Sequence, residues 1–289
     1  MSPPVTRFAP SPTGLLHLGH ALAAKVARDL ARGGGGRFLL RFEDIDHTRV
    51  RPEYEAAIES DLLWLGLEWD GPALRQSTRG EAYAAALDEL RRLGVAYPCF
   101  CTRREIDEEL ARMVGAPHGP EGAHYPGTCR DLSPTDRAAR LDAGHQPAWR
   151  LDATRAARLA GPLSFTDLRH GRHVVDPGLL GDVVLARKDI GTAYHLAVVV
   201  DDAFQQITHV TRGEDLLPST HVHRLLQALL GLPEPLYLHH GLVTDERGIR
   251  LAKRHDALSL RALRESGATP RELLSRLANP TGHETLQPP

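Results

Sequence analysis

The sequence predicts an α/β fold built on a parallel sheet, broken by an inserted subdomain and closed by a short helical tail. Three observations carry that prediction. The first 42 residues read as strand, helix and strand. A stretch from Pro98 to about Pro162 loses clear periodicity and holds all three cysteines. After Asp256 the pattern is helical again.

Each element follows from local chemistry. Residues 5–9 are short and extended, and Pro10, Pro12 and Gly14 forbid a helix directly after them. Residues 18–31 are rich in Ala and Leu and read as a helix, which the glycines at 33–36 turn back. Residues 37–42 form a compact apolar strand that runs into the acidic turn Glu43-Asp44-Ile45-Asp46. Strand, helix and strand at this spacing make a βαβ unit, which requires a parallel sheet. Further helices are expected at 58–67 and 81–93. A regular pattern resumes near Gly181, with 183–186 and 196–200 read as buried strands. Residues 225–230 belong to a helix that stops before Gly231 and Pro233, and the tail gives helices at 258–265 and 270–277, with Pro270 in a favoured first-turn position. The expected organisation is a catalytic domain in two halves, 1–97 and 163–246, around an insertion at 98–162, with a loop and helical tail at 247–289.

Bulk composition excludes several classes. The 42% hydrophobic and 25% charged residues are those of an ordinary globular chain, long enough for one large domain or two modest ones. The N-terminal stretch has no basic region followed by an apolar one, and no apolar run is long enough for a bilayer, so a cytoplasmic protein without a membrane partner is expected. Three cysteines are too few for a disulfide framework, and the closeness of Cys99 and Cys101 favours a metal. The net charge of −2 excludes a uniformly basic nucleic-acid binder, yet residues 247–276 hold eight Lys/Arg against three Asp/Glu. That excess suits phosphate contact as well as a solvated helical face. Only Lys25, Lys188 and Lys253 are lysines, so Lys253 stands out in a chain that otherwise uses arginine.

The segment Phe8-Ala9-Pro10-Ser11-Pro12-Thr13-Gly14-Leu15-Leu16-His17-Leu18-Gly19-His20 is the most informative. A rigid turn feeds a helix start, where free N–H groups and the positive end of the dipole favour a polyphosphate. His17 and His20 share one face at a spacing of three, and Gly19 leaves room for a flat base. Neither a dinucleotide fingerprint nor a P-loop is present. With Arg7 in front, this string resembles the HIGH signature region of the glutamyl-tRNA synthetases, class I aminoacyl-tRNA synthetases with a Rossmann-like catalytic domain. Arg250-Leu251-Ala252-Lys253-Arg254 stands where that family has its KMSKS-type loop, in a degenerate copy that keeps the central lysine. The resemblance implies catalytic His17, His20 and Lys253, and ATP contacts from His17, Gly19, His20 and Lys253.

A free amino acid needs an anion for its ammonium and cations for its carboxylates, and glutamate calls for two arginines. Glu43 should lie beyond a strand C-terminus, where open parallel sheets bind ligands. The stretch from Gly191 to Asp202 resembles the family's substrate-pocket strand, and Ile207 to Leu216 its following motif. By that resemblance Arg7, Phe8, Ala9, Pro10, Ser11, Glu43, Tyr194 and Arg212 surround glutamate. Without it, Tyr194 reads equally as a core residue and Arg212 as a partner of Glu214 or Asp215.

Cys99 and Cys101, followed by Cys129, supply three thiolates, which favour zinc with a fourth ligand. Tyr125, His124 and His118 are the candidates from position. The resemblance to a short paralogue group with a Cys-x-Cys…Tyr-x-x-x-Cys pattern selects Tyr125 and a structural zinc. That group is the glutamyl-queuosine tRNA(Asp) synthetases. The resemblance covers roughly residues 5–260. It implies activation of L-glutamate by ATP with Mg2+, then transfer to queuosine at the wobble position in the anticodon loop of tRNA(Asp), by a protein expected to be a monomer. The alternatives are charging of a tRNA 3′ end, a non-catalytic tRNA-binding paralogue, and an amide ligase with a small-molecule acceptor.

Overall fold

The computed structural model describes residues 2–112, 118–119, 122–245, 259–277 and 285–286. Strand β1 (Val5–Phe8) and strand β2 (Arg37–Phe42) pair in parallel, joined by helix α1 (Leu18–Gly33), and β3 (Leu74–Arg75) extends the sheet past β2. The expected βαβ unit is therefore present. Alanine gives α1 both its propensity and its fit. Ala21, Ala24, Ala27 and Ala31 are fully buried and let the helix sit close to the sheet, where the Thr6 hydroxyl donates to the Ala27 carbonyl at 2.8 Å. Helices α2 (Pro52–Trp64) and α3 (Gly80–Arg92) follow. The α2 helix starts earlier than the expected 58, because Pro52 is pre-set for a first turn.

The second half adds β8 (Ser164–Asp167), β9 (Gly171–Val174), β11 (His209–Gly213) and β12 (Leu236–His240) in the order β11-β12-β8-β9, with β11 and β12 parallel and joined through helix α8 (Leu217–Leu229). The half-sheets meet where Thr208 N donates to Val5 O at 3.0 Å and Val5 N donates to Thr208 Oγ1 at 2.8 Å. Beyond that seam the C-terminal ends of β1 and β11 open a crevice, the switch point where open α/β sheets bind ligands.

Residues 196–200, expected as a strand, lie instead inside helix α7 (Tyr194–Phe204). A short apolar run does not distinguish a buried strand from a buried helix. Here Leu196, Ala197, Val198 and Val199 are all buried, and the helix packs between α3 and α8. In the helical form Asp201 and Asp202 are both buried and reach two different sets of partners, about 100° apart around the axis.

Strands β4 (Ala96–Cys99), β7 (Ala148–Leu151) and β10 (Val184–Ala186) make a separate antiparallel sheet in the order β10-β7-β4. Between β4 and β7 lie α4 (Arg103–Arg112), the short pair β5 (His118–Gly119) and β6 (Gly122–Ala123), and α5 (Pro134–Asp142); α6 (Ala153–Ala160) follows β7. In the tail, α9 (Leu260–Glu265) and α10 (Pro270–Arg276) form near their expected places, and β13 (Thr244–Asp245) pairs with β14 (Thr285–Leu286). Leu260, Leu273 and Leu277 join the core under α1 and β2, and Leu260 N donates to Leu16 O at 2.8 Å. Among the described residues no helix is long and apolar enough to cross a membrane.

Gly36 marks the tightest approach in the first βαβ unit. A Cβ there would lie 1.8 Å from the Pro4 carbonyl oxygen, whereas one on Gly33 would meet nothing within 4 Å. Gly36→Ala is expected to lower stability by about 1–3 kcal/mol through forced backbone movement. Gly33→Ala is expected to be neutral or to add up to about 1 kcal/mol by stiffening the unfolded chain. Urea unfolding midpoints of the two variants check this, and similar midpoints would show that the turn yields at no cost.

Candidate active site

A cavity of about 590 Å³ occupies the crevice between the half-sheets. It is lined by Arg7 and Phe8 on β1 and Ala9 to Ser11 after it, Glu43 after β2, Tyr194 at the start of α7, Thr211 to Gly213 on β11, and His240 at the end of β12 with Gly241 to Val243 after it, with His17, Gly19 and His20 from the start of α1. One cavity thus brings together every residue expected to meet glutamate or ATP except those of the KMSKS-type loop. Arg250, Leu251, Ala252, Lys253 and Arg254 lie outside the described residues. Of the described residues on either side of that stretch, Val243 lines the cavity and Ser259 forms a bridge with His17.

His17 and His20 build the helix start themselves. His17 is the N-cap, in extended conformation, and its Nδ1 accepts from Gly19 N at 3.1 Å, while His20 Nδ1 accepts from His17 N at 3.2 Å. This is a capping box made by two imidazoles, whose ring centroids are 3.8 Å apart. A ring whose Nδ1 accepts holds its proton on Nε2, and an Nε2–H is a donor suited to a phosphate oxygen. Gly19 has a second reason to be glycine. A Cβ there would lie 3.0 Å from His17 Cε1, so the capping ring needs that space.

The cations around the cavity are of two kinds. Arg7 is buried and paired: its Nε and Nη2 donate to the two carboxylate oxygens of Asp202 at 2.9 and 3.3 Å, and Nη1 donates to Thr211 O at 3.1 Å. Arg41, fully buried, donates to the same Asp202 at 2.7 Å and to Gln205 Oε1 at 3.0 Å. Among the described residues Arg212 has no carboxylate partner. Its Nε donates to His239 Nε2 at 3.1 Å, Nη1 to His223 Nδ1 at 3.1 Å and Tyr194 Oη at 3.4 Å, and Nη2 to Thr220 Oγ1 at 2.6 Å. Pairing of Arg212 with Glu214 or Asp215 is therefore not what holds it. Glu43 faces the cavity with Arg41 Nη2 at 3.8 Å, and burial pushes its carboxyl above the ordinary value. The site can hold an ammonium at Glu43 and a carboxylate at Arg212.

Several of these groups lie outside the sequence reading. Arg41, Asp202, Thr220, His223, His239 and Asp167 support the cavity from behind, and Asp201 binds Gln76, Arg79 and Tyr83 on the far side of α7. The signal available was the pair Asp201-Asp202 inside an apolar run, which is costly unless both charges find partners.

The cysteines also converge. The sulfurs of Cys99, Cys101 and Cys129 lie within 4.8 Å of one another. Tyr125 Oη sits 3.3 Å from Cys99 Sγ and 3.4 Å from Cys101 Sγ. Zinc with Zn–S bonds of about 2.3 Å gives tetrahedral edges of about 3.8 Å, so this donor set fits such an ion. His124 is turned away, with Nε2 3.0 Å from Leu179 O, and the His118 side chain lies outside the described residues. The hydrogen bond with Cys99 draws the Cys129 thiol down to about 6, and the same contact with burial pushes Cys99 up to about 12. Burial and the neighbouring thiols push Tyr125 up as well.

Three histidines behind Arg212 are held neutral. Burial, and then the Arg212 charge, lower His195 to about 4 and His239 to about 3, and push His223 well below its ordinary 6.5. The unfolded chain takes up these protons below pH 6.5 while the folded chain refuses them, so stability must fall as pH drops from 6.5 toward the folded values. Urea unfolding at pH 7 and pH 5 is expected to show a loss of the order of 1–2 kcal/mol per histidine. His239→Gln should lessen the drop, and an unchanged drop would remove His239 from the effect.

Comparison with known proteins agrees with this geometry. A sequence model of the family described as "tRNA synthetases class I (E and Q), catalytic domain" matches residues 4–282. The Glutamyl-Q tRNA(Asp) synthetase of Rhodobacter capsulatus is 51% identical over 274 residues, 93% of this chain and 98% of that protein. The Glutamate--tRNA ligase 2 of Nitrosococcus oceani is 41% identical over 96% of this chain but 59% of its own length. A glutamate-tRNA synthetase structure from Elizabethkingia anophelis superimposes with a TM-score of 0.82 at 28% identity, covering 96% of this chain and 61% of that one. A parallel sheet with its crevice lined by an imidazole-capped helix, matched along nearly the whole chain, puts this protein in the class I tRNA synthetase family for glutamate and glutamine, as a ligase of the aminoacyl-tRNA synthetase type.

Proposed function

We propose that the chain activates L-glutamate with ATP and transfers the glutamyl group to queuosine at the wobble position of tRNA(Asp). The observation that carries the amino-acid half is the pairing within one cavity of Glu43, an anion open to the cavity, with Arg212, a cation whose partners among the described residues are all uncharged. Glu43 receives the ammonium and Arg212 the side-chain carboxylate, with Tyr194 and Arg7 beside them. The glutamate α-carboxylate attacks the α-phosphorus of ATP and expels pyrophosphate. His17 and His20 donate from Nε2 to the phosphates, and Lys253 supplies a cation from the loop. Mg2+ accompanies the nucleotide. No enzyme nucleophile is needed, because positioning and charge stabilisation lower the barrier. A queuosine hydroxyl then attacks the activated carbonyl and releases AMP.

The acceptor rests on likeness. Identity is higher to the R. capsulatus glutamyl-Q enzyme, across nearly all of its length, than to the N. oceani ligase. Single-stranded loops with unstacked bases suit a crevice of this kind. The division of the chain around an insertion at 98–162, a monomeric state and a cytoplasmic location belong to the same proposal.

Zinc belongs to it too, held by Cys99, Cys101, Cys129 and Tyr125. Its contribution would be structural, fixing an insertion whose helix α5 has no buried residue. Cys101→Ser is expected to lower bound zinc severalfold and to reduce the melting temperature. Metal analysis together with thermal unfolding checks this, and full zinc content in the variant would refute the ligand set.

The acceptor test uses labelled glutamate with ATP and bulk tRNA, from cells that make queuosine and from cells that do not. Label is expected only in the queuosine-containing pool. Equal labelling of both pools would return the protein to 3′-end charging, and labelling of neither would favour a small-molecule acceptor or a protein without transfer activity.

A further inference from the structure

A buried guanidinium is ordinarily matched by a carboxylate. Arg7 and Arg41 follow that rule through Asp202, and Arg79 follows it through Asp201 at 2.6 Å. Arg212 is as buried as Arg7, and among the described residues no carboxylate matches it. Four of its five N–H groups are taken by two imidazoles, a phenol and a hydroxyl, none of which carries negative charge.

The two imidazoles are fixed as acceptors by what lies behind them. His239 stands between Arg212 and Asp167. Asp167 Oδ2 takes the Nδ1 proton at 2.6 Å, which turns the Nε2 lone pair toward Arg212. The Asp167 carboxylate is covered by the main-chain N–H groups of Arg169, His170 and His239, at 2.8 to 3.0 Å. His223 is fixed by His195: its Nε2 lies 3.1 Å from His195 Nδ1, which leaves Nδ1 to accept from Arg212. Thr220 completes the arrangement: its Oγ1 accepts from Arg212 Nη2 and lies 3.2 Å from His239 Nε2.

We propose that His223 and His239 are positioning residues that set the preference for an acidic amino acid. Each holds the Arg212 fork in place as a neutral acceptor, so the geometry is fixed while the positive charge is left for the side chain of the substrate. A carboxylate in either position would satisfy the same N–H groups and cancel that charge. The inference rests on the reading of the cavity as a glutamate site, and it adds the reason that glutamate is preferred there over glutamine, which has the same shape without the charge.

The test separates charge from packing. His223→Gln keeps both hydrogen-bonding roles, with Oε1 accepting from Arg212 and Nε2 donating to His195. His223→Glu keeps the acceptor and adds a negative charge. Both full-length variants are assayed by ATP–pyrophosphate exchange with bulk tRNA present, using L-glutamate and L-glutamine in turn. The Gln variant is expected to retain the preference for glutamate. The Glu variant is expected to raise the glutamate KM by about 10- to 100-fold, with a smaller effect on kcat, and to lower the kcat/KM ratio of glutamate over glutamine by a similar factor. If His223→Glu does not fold, Thr220→Asn and Thr220→Asp make the same comparison at the Nη2 side of the fork. Equal losses in the neutral and the acidic variant would reduce these residues to packing and overturn the inference. So would an acidic variant that keeps wild-type selectivity. Wild-type protein that supports no glutamate-dependent exchange would overturn the glutamate reading itself.

Discussion

The carboxylate of Asp202 holds the two halves of the molecule in register around the cavity. It lies on α7 and receives Arg7 from β1 and Arg41 from β2. Burial opposes its charge, yet the two guanidinium groups keep its carboxyl below the usual range. Removing one partner from such a buried set costs about 3–5 kcal/mol, since a charge is left behind without water. The placement of Tyr194, one end of the same helix, depends on this clamp, and so does the orientation of Arg7 at the cavity wall. Asp201 does the same work on the other side of α7, gathering Gln76, Arg79 and Tyr83. A two-residue acidic pair thereby fastens a helix to a sheet in one direction and to its neighbouring helix in the other.

Against that neutralised frame, Arg212 is the contrasting element. The frame spends its acids on Arg7, Arg41 and Arg79 and surrounds Arg212 with neutral acceptors. The result is a crevice with positive charge on the β11 side, an acid at the end of β2, and imidazole N–H groups at the start of α1. Those three features sit on the ends of rigid elements, which is how an α/β sheet fixes a ligand without moving the backbone. The helix start is itself unusual. The residues that cap α1 are the residues that face the cavity, so the geometry that satisfies the first N–H groups also sets the ring nitrogens presented to the cavity.

Away from the crevice, the antiparallel sheet β10-β7-β4 carries the cysteine cluster at the end of β4. Cys99 ends that strand, Cys101 follows it by two residues, and Cys129 returns to them with its N–H on Tyr125 Oη at 3.0 Å. Arg150, on the adjacent strand, lies over the Tyr125 ring at 3.9 Å. The four donors are thus organised by one sheet edge and one turn.

The sequence by itself determined the elements whose signals are local. Alanine-rich α1 between two apolar strands, the glycine turn before β2, the proline that starts α10, and the clustering of Cys99 with Cys101 each follow from conformational preferences of a few adjacent residues. The cavity residues from Arg7 to His20 were legible through the motif that resembles the HIGH signature region, and Glu43 through its place at a strand end. Tertiary structure decided the rest. Whether residues 196–200 are strand or helix depends on which partners Asp201 and Asp202 must reach, and those partners lie more than a hundred residues away in the chain. That Arg212 is held by His223, His239 and Thr220, and not by its sequence neighbours Glu214 and Asp215, follows from the parallel register that sets Arg212 opposite His239. A buried charge is placed by what compensates it, and compensation is a property of the folded interior that no local stretch of sequence contains.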